Sequence, residues 1–452
     1  MKKREIPTTG IYDARQLGYP KMLILGVQHM FAMFGATVLV PTLTGLSVSA
    51  TLLFAGLGTL LFHFLTKGKV PAFLGSSFAF IGGYAAIAPM LPDASGNLTV
   101  ANDALLPYAC FGVACAGLLY VVLAALFKAF GTKKVMRYFP PIVTGPIIIC
   151  IGLILSSSAI TNCQANWPIA LLAILTVIVC NIWGKGMVKI IPILLGVVVS
   201  YVAAAIFHEV DFTAVRQAPL LGLPFQWNDT VFGLLGRSDL DTGLLVTAAV
   251  TIIPISLATM VEHIGDICAI SSTCEKNYME DPGFHRTLLG DGLATSLAAL
   301  FGAPANTTYG ENTGVLALSK VYDPKVIRIA AVLAILFSFS PKFAALVSCM
   351  PTATIGGVSL ILYGMISAVG VRNVVENKVD FTNSRNVIIA AIILVLAIGI
   401  NYSTGSVAIG PVNLSGLAVA SIVGIALNAI LPGKDYEFGI DPQGDTSVDF
   451  KV

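Results

Sequence analysis

The chain has 452 residues, of which 56% are hydrophobic and 11% charged, with a formal net charge of +2. Soluble domains carry about 25% charged residues, so this chain has too little charge to cover a water-facing surface, which excludes a soluble enzyme, a nucleic-acid binder and a disordered protein. Gly (43) and Pro (23) show no repeat period, which excludes collagen and low-complexity sequence and leaves a polytopic helical membrane protein.

The N-terminal stretch MKKREIPTTGIYDARQLGYPK is polar and does not resemble a cleaved signal peptide. A membrane helix needs about 20 apolar residues. Fourteen candidate spans follow in order: 22–43, 47–66, 71–90, 104–129, 141–158, 168–184, 188–208, 243–269, 285–303, 307–320, 326–349, 352–370, 386–401 and 414–431. Spans 3 and 10 are interrupted by Gly, Ser, Thr and Asn, and span 10 is too short to cross as a plain helix. Spans 5 and 12 begin at prolines. With the N-terminus inside and the chain alternating, every Lys and Arg except Arg216, Arg237 and Lys342 falls on the cytoplasmic side. Both termini are then expected in the cytoplasm. The long external stretch 209–241 divides the chain seven plus seven.

An odd number of spans per half inverts the second half relative to the first. PPIVTGPIIICIGLIL at span 5 matches PTATIGGVSLILYGMI at span 12, each with a proline five residues before a glycine (Pro140 and Gly145; Pro351 and Gly356). Span 2 carries Gly56-x-Gly58 and span 9 Gly290-x-Gly292, each followed by a proline, Pro71 or Pro304, that opens an interrupted span. Spans 3 and 10 therefore hold corresponding places in an inverted repeat. A break at mid-membrane frees backbone groups that lipid cannot satisfy, and paired breaks mark the substrate site of many secondary transporters. The expected site is where LGSSFAF meets NTTYGEN.

Ionisable groups within spans need an explanation. Glu262 and Asp266, four residues apart, share a face of span 8, and Glu311 lies in the break of span 10. Glu262 and Glu311 read as ligand or proton sites. Asp266, nearer the cytoplasmic end, reads either as their support or as a local cap. His29, mid-span, reads equally as a core histidine or a site contact. His63 reads as packing, Asp291 as a local cap or pair, and Lys342 as interfacial. Phe78, beside Ser77 at the break, and Tyr309 with Gly310 beside Glu311 are site candidates by position. The eight cysteines, Cys110, Cys115, Cys150, Cys163, Cys180, Cys268, Cys274 and Cys349, form no C-x-x-C pair and read as small buried hydrophobes. No metal-ligand spacing and no Walker or G-x-S-x-G motif occurs, so neither an enzyme nor a resident metal or cofactor is expected.

At these residues the chain resembles the nucleobase–ascorbate transporter family, also called nucleobase–cation symporter 2, and within it the bacterial uracil permeases. The span 10 signature reads Glu311-Asn312-Thr313-Gly314, then Ser319-Lys320, with serine where threonine is usual; Gln28-His29 and Glu262-His263-Ile264-Gly265-Asp266 also match. The resemblance runs over about 22–431. It implies an all-α polytopic fold of fourteen spans in a 7+7 inverted repeat, with short antiparallel strands in spans 3 and 10. It divides the chain into a cytoplasmic N-terminus 1–21, a first repeat 22–208 (core 22–129, gate 141–208), the external loop 209–241, a second repeat 242–431 (core 243–349, gate 352–431) and a cytoplasmic tail 432–452. It implies substrate contacts at Glu262, Glu311, Gly310 and Phe78, with Ala36 nearby and Ser77 adjoining. Support or proton coupling falls to Asp266, Tyr309 and His29, with the proton as coupling ion. Asp266 stands where histidine is common in uracil permeases. A bacterial inner-membrane location is implied, and a homodimer through the gate is left open.

Residue chemistry agrees with a nucleobase. Uracil is planar and neutral, with alternating N–H donors and C=O acceptors. A carboxylate accepts N–H and a protonated carboxyl pairs an amide edge twice, while an aromatic such as Phe78 covers a ring face. The expectation is therefore proton-coupled uracil uptake by alternating access, with a xanthine or purine symporter as the alternative. An anion transporter would want a positive site, a membrane enzyme would want a catalytic motif, and a passive channel would not concentrate its solute.

Overall fold

The structure, a computed structural model, describes residues 10–92, 98–238, 240–409 and 412–433. The first half contains α1 (Tyr19–Thr44), α2 (Val48–Leu65), β1 (Leu74–Ser76), α3 (Ile81–Ile87), β2 (Leu91–Pro92), β3 (Leu98–Val100), α4 (Leu106–Phe130) and α5 (Thr132–Met136). It continues through α6 (Pro141–Gln164), α7 (Trp167–Trp183), α8 (Met187–Ile190) and α9 (Pro192–Ile206). A connection bearing α10 (Thr213–Gln217) leads to the second half. There lie α11 (Thr242–Ile252), α12 (Ile255–Thr273), α13 (Phe284–Leu300), β4 (Asn306–Thr308), α14 (Gly310–Ser319), α15 (Pro324–Ser338) and α16 (Pro341–Ser348). Then come α17 (Thr352–Glu376), α18 (Ser384–Ser403), β5 (Ser406–Ile409), β6 (Val412–Ser415) and α19 (Gly416–Ile430).

Local signals account for many boundaries. Ser47 caps α2 by accepting from Ala50 N, Asp241 caps α11 from Leu244 N, and Asn166 caps α7 from Ile169 N. Proline occupies the first turn of α4, α6, α7, α9, α15 and α16, where its missing N–H costs nothing. α1 ends at Gly45, whose φ of +81° suits a residue without Cβ.

Among the described residues, seven helical stretches are long and apolar enough to cross a membrane: α1, α2, α4, α6, the run α11–α12 over Thr242–Thr273, α17 and α18. The pair α15 and α16 would make an eighth but is bent by 89°. Two expected spans therefore need correction. The segment 243–269 extends to Thr273 and is interrupted at Pro254, which has no N–H to donate. The segment 326–349 is no single helix, because Ser340 caps a new helix that starts at Pro341. Two strand hairpins were not foreseen: β2 with β3, and β5 with β6, which pairs Ser406 to Ser415 and packs against α11.

The main packings come in exchanged pairs when each segment is swapped for its counterpart seven places along. α2 packs on α15 as α13 packs on α4, and α1 packs on α15 as α11 packs on α4. α7 packs on α9 as α18 packs on α19, and α1 touches α9 as α12 touches α19. The self-exchanged pairs, α6 with α17, α2 with α13 and β1 with β4, also exist. Glycines let the closest of these approach. A Cβ on Gly292 would lie 2.6 Å from Gly117 O and 2.3 Å from Tyr120 Cβ between α13 and α4. A Cβ on Gly152 would lie 2.2 Å from Tyr363 O between α6 and α17.

Candidate functional site

The two interrupted segments meet as a two-stranded antiparallel ribbon, pairing Leu74 with Thr308, Gly75 with Thr307 and Ser76 with Asn306. Backbone bonds extend it on both sides, from Ser77 N to Ala305 O (2.8 Å) and from Tyr309 N to Phe73 O (3.1 Å). Side chains of neighbouring helices hold it in place. Leu74 N donates to Thr59 Oγ1 (2.9 Å), Asn306 Nδ2 to Phe54 O (3.0 Å) and Thr295 Oγ1 to Asn306 O (2.8 Å). Ser76 Oγ donates to Thr37 O (3.1 Å) and Tyr309 Oη to Ser76 O (2.8 Å). His63 Nε2 lies 2.9 Å from Ala72 O, which agrees with a packing role and links α2 to the entry of β1. Protein thus satisfies the broken backbone where lipid would not.

Immediately after β4 the chain re-enters helix at Gly310. Tyr309, the N-cap, makes no side-chain capping bond, and the first N–H groups of a helix find no acceptor within it. A Cβ on Gly310 would meet nothing within 4 Å, so this turn is approached from open space. At the matching end of β1, Ser77 is fully buried with Oγ unbonded among the described residues, and the next residue, Phe78, meets Tyr363 of α17 edge-on at 5.8 Å between ring centres.

α12 lines the other side, packing against both β4 and α14. Asp266 is tied to the break itself: Thr308 Oγ1 donates to its Oδ2 at 2.7 Å. Glu262, one turn earlier on that face, is half-buried. His29 of α1 is buried, and Asn312 Nδ2 donates to its carbonyl oxygen (3.1 Å) and stands 3.2 Å from Nδ1. His29 therefore binds α1 to α14. The structure brings Asp266, Phe78, Ser77, Tyr309, Gly310 and His29 around one ribbon, with Glu262 one turn before Asp266 on α12; the side chains of Glu311 and Ala36 lie outside the described residues.

Three partners were not singled out from sequence. Thr308 and Asn312 lie within quoted motifs but bond residues far along the chain, and Tyr363 gave only the signal of a polar aromatic amid apolar residues in span 12. Asp291 is no local cap. Its Oδ2 lies 3.0 Å from His263 Nδ1 on α12, with both side chains fully buried. Beside that pair, Tyr120 Oη of α4 donates to Thr259 Oγ1 at 2.5 Å. One face of α12 therefore docks on α4 and α13 through Thr259 and His263 and, a turn further along, on the ribbon through Asp266. Among the described residues, no group of three or more His, Cys, Asp or Glu side chains is placed to hold a metal.

Comparison with known proteins follows this geometry. The permease family matches residues 20–405. The uracil permease of Bacillus caldolyticus is 39% identical over 437 residues, covering 95% of both chains. The uracil permease of Escherichia coli K12 is 36% identical over 423 residues, covering 90% of both. Among solved structures, the transmembrane domain of a cyanobacterial bicarbonate transporter, BicA, superposes with a TM-score of 0.61 at 15% identity, covering 93% of this chain and 99% of that one. SLC26A9 gives 0.63 at 12% identity over 92% of this chain and 66% of the other. At such identities the likeness is one of fold.

Proposed function

The chain belongs to the nucleobase–ascorbate transporter family of permeases, and from that membership we propose that it takes up uracil across the bacterial inner membrane, driven by protons. The observation that carries the reading is the ribbon of β1 and β4, which presents the uncapped start of α14 opposite the Glu262 face of α12. The N–H groups at Gly310 suit a uracil carbonyl, Glu262 and Glu311 suit its ring N–H groups, and Phe78 suits its face. Proton and base favour each other's binding when a carboxyl serves both, which is the linkage a symporter needs. The relatives named as uracil permeases support the substrate. Fourteen spans, cytoplasmic termini and motion of a gate (α6–α9, α17–α19) against a core complete the proposal.

The test is uptake of labelled uracil by cells lacking their own transporter, with and without a protonophore, and with competing xanthine, hypoxanthine and urate. Concentrative uptake that collapses with the proton gradient and is blocked by unlabelled uracil alone is expected. Blockage by xanthine at lower concentration would move the reading to a purine symporter. Glu311→Gln is expected to weaken uracil and admit purines.

A further inference from the structure

The chain's start lies across the ends of the two helices that carry the acids. Ile11 pairs in parallel with Val321, its N–H donating to Lys320 O (2.7 Å) and its carbonyl accepting from Tyr322 N (2.8 Å). These residues directly follow α14. Tyr12 Oη donates to Cys274 O (2.7 Å), at the C-cap of α12, and Lys276 Nζ sits 4.1 Å above the Tyr12 ring. Ala14 N donates to Asp323 Oδ2 (2.8 Å), and Asp13 faces Lys325 at 3.4 Å. The Arg15 guanidinium holds the Asp13 carboxyl well below the usual carboxylate range, so it stays charged. Ile11 and Ala14 are buried with Met22, Val321 and Val326 in a cluster separate from the main core. Gly10 lies so close to Tyr322 that a Cβ would fall 2.0 Å from its ring.

α12 bears Glu262 and Asp266, and α14 starts with Gly310 and Glu311. The bond from Thr308 to Asp266 joins α12 to β4, the strand that leads into α14. We infer that residues 10–17 form a positioning strap that ties the end of α12 to the end of α14, with Tyr12 as its main fastening, so that the acids on both helices keep one spacing while the protein cycles. The inference rests on reading these helices as the substrate site. A site whose groups come from two separately jointed helices loses affinity when their spacing wanders by an ångström. The separateness of the small cluster means the strap can lift without opening the main core.

The test uses purified full-length protein. Spin labels at Glu275→Cys and Lys320→Cys, with the native cysteines replaced by serine, report the distance between the helix ends without any ligand. Tyr12→Ala, and Gly10→Val, which drives the strap off Tyr322, are expected to broaden that distance distribution. Both are expected to raise the uracil dissociation constant about fivefold or more while the ligand-free thermal midpoint holds. Tyr12→Phe loses one hydrogen bond and keeps the ring, so a rise smaller than that of Tyr12→Ala is expected. Unchanged distances in Tyr12→Ala and Gly10→Val would overturn the strap. So would broadened distances with wild-type affinity, or an affinity loss that only follows a fallen midpoint. Failure of the unmodified protein to bind uracil would sink the substrate reading instead, leaving the ligand-free distances to decide the strap.

Discussion

At the scale of single residues, α12 is held at two places along one face by different chemistry. The buried contact of His263 with Asp291 crosses to α13. Removing one partner of a buried polar contact costs about 1–3 kcal/mol, because it strands the other, while replacing both with apolar groups of like shape is often nearly neutral. His263→Leu alone is therefore expected to lower the thermal midpoint sharply, and His263→Leu with Asp291→Leu to recover most of it. A double variant no better than either single one would deny the pairing. At the ribbon, Thr308→Val removes the donor to Asp266, a bond worth about 0.5–1.5 kcal/mol. Uracil affinity is expected to fall about tenfold, with expression unimpaired. Glu262→Gln, which can take up no proton, is expected to abolish accumulation; near-normal accumulation would remove Glu262 from the coupling.

At the scale of elements, the close packing of α6 on α17 bears directly on the site. Gly152 faces the backbone of Tyr363, whose ring meets Phe78. Gly152→Ala is expected to push the helices apart at a cost of about 1–3 kcal/mol and to weaken uracil binding through Tyr363. Wild-type affinity in a destabilised variant would show that the Tyr363 contact is not read by the ligand. Much of this arrangement was legible in sequence. Prolines at Pro71 and Pro304 and the polar interruptions after them announced the two breaks, because lipid forbids such residues an ordinary helix. Pro140 and Pro351 announced the starts of α6 and α17. The rest depended on distance in the chain. Nothing local says that Asp291 meets His263, that Asp266 reaches Thr308, or that Ile11 lies beside Val321. The bend at Ser340 was hidden because its flanks are apolar enough to pass for a straight span, and the hairpin of β5 and β6 because most of it falls between spans 13 and 14, where only a connection was expected.

At the scale of the whole molecule, the proposed alternating access places motion where the helices carrying the ribbon touch the others. α1 meets α9 there: a Cβ on Gly35 would lie 3.4 Å from Ile193 Cβ, near the spacing a disulfide needs. Gly35→Cys with Ile193→Cys, in a background without native cysteines, is expected to stop uptake on oxidation and restore it on reduction. Uptake that continues in the oxidised protein would rule out sliding at this seam.

The exchanged packings give that seam a twin, α12 on α19. A hinge made twice from related parts has two resting positions of nearly the same depth, distinguished only by where the two copies of the sequence have drifted apart. The balance between an outward and an inward mouth is then a matter of a few kcal/mol, and slight asymmetries set it. Bulk added along α1–α9 should tip the population towards one face, and equal bulk along α12–α19 towards the other. A single reporter cysteine probed with a membrane-impermeant thiol reagent would read the tilt. Shifts in the same direction from both seams would mean that the two hinges no longer act as counterparts.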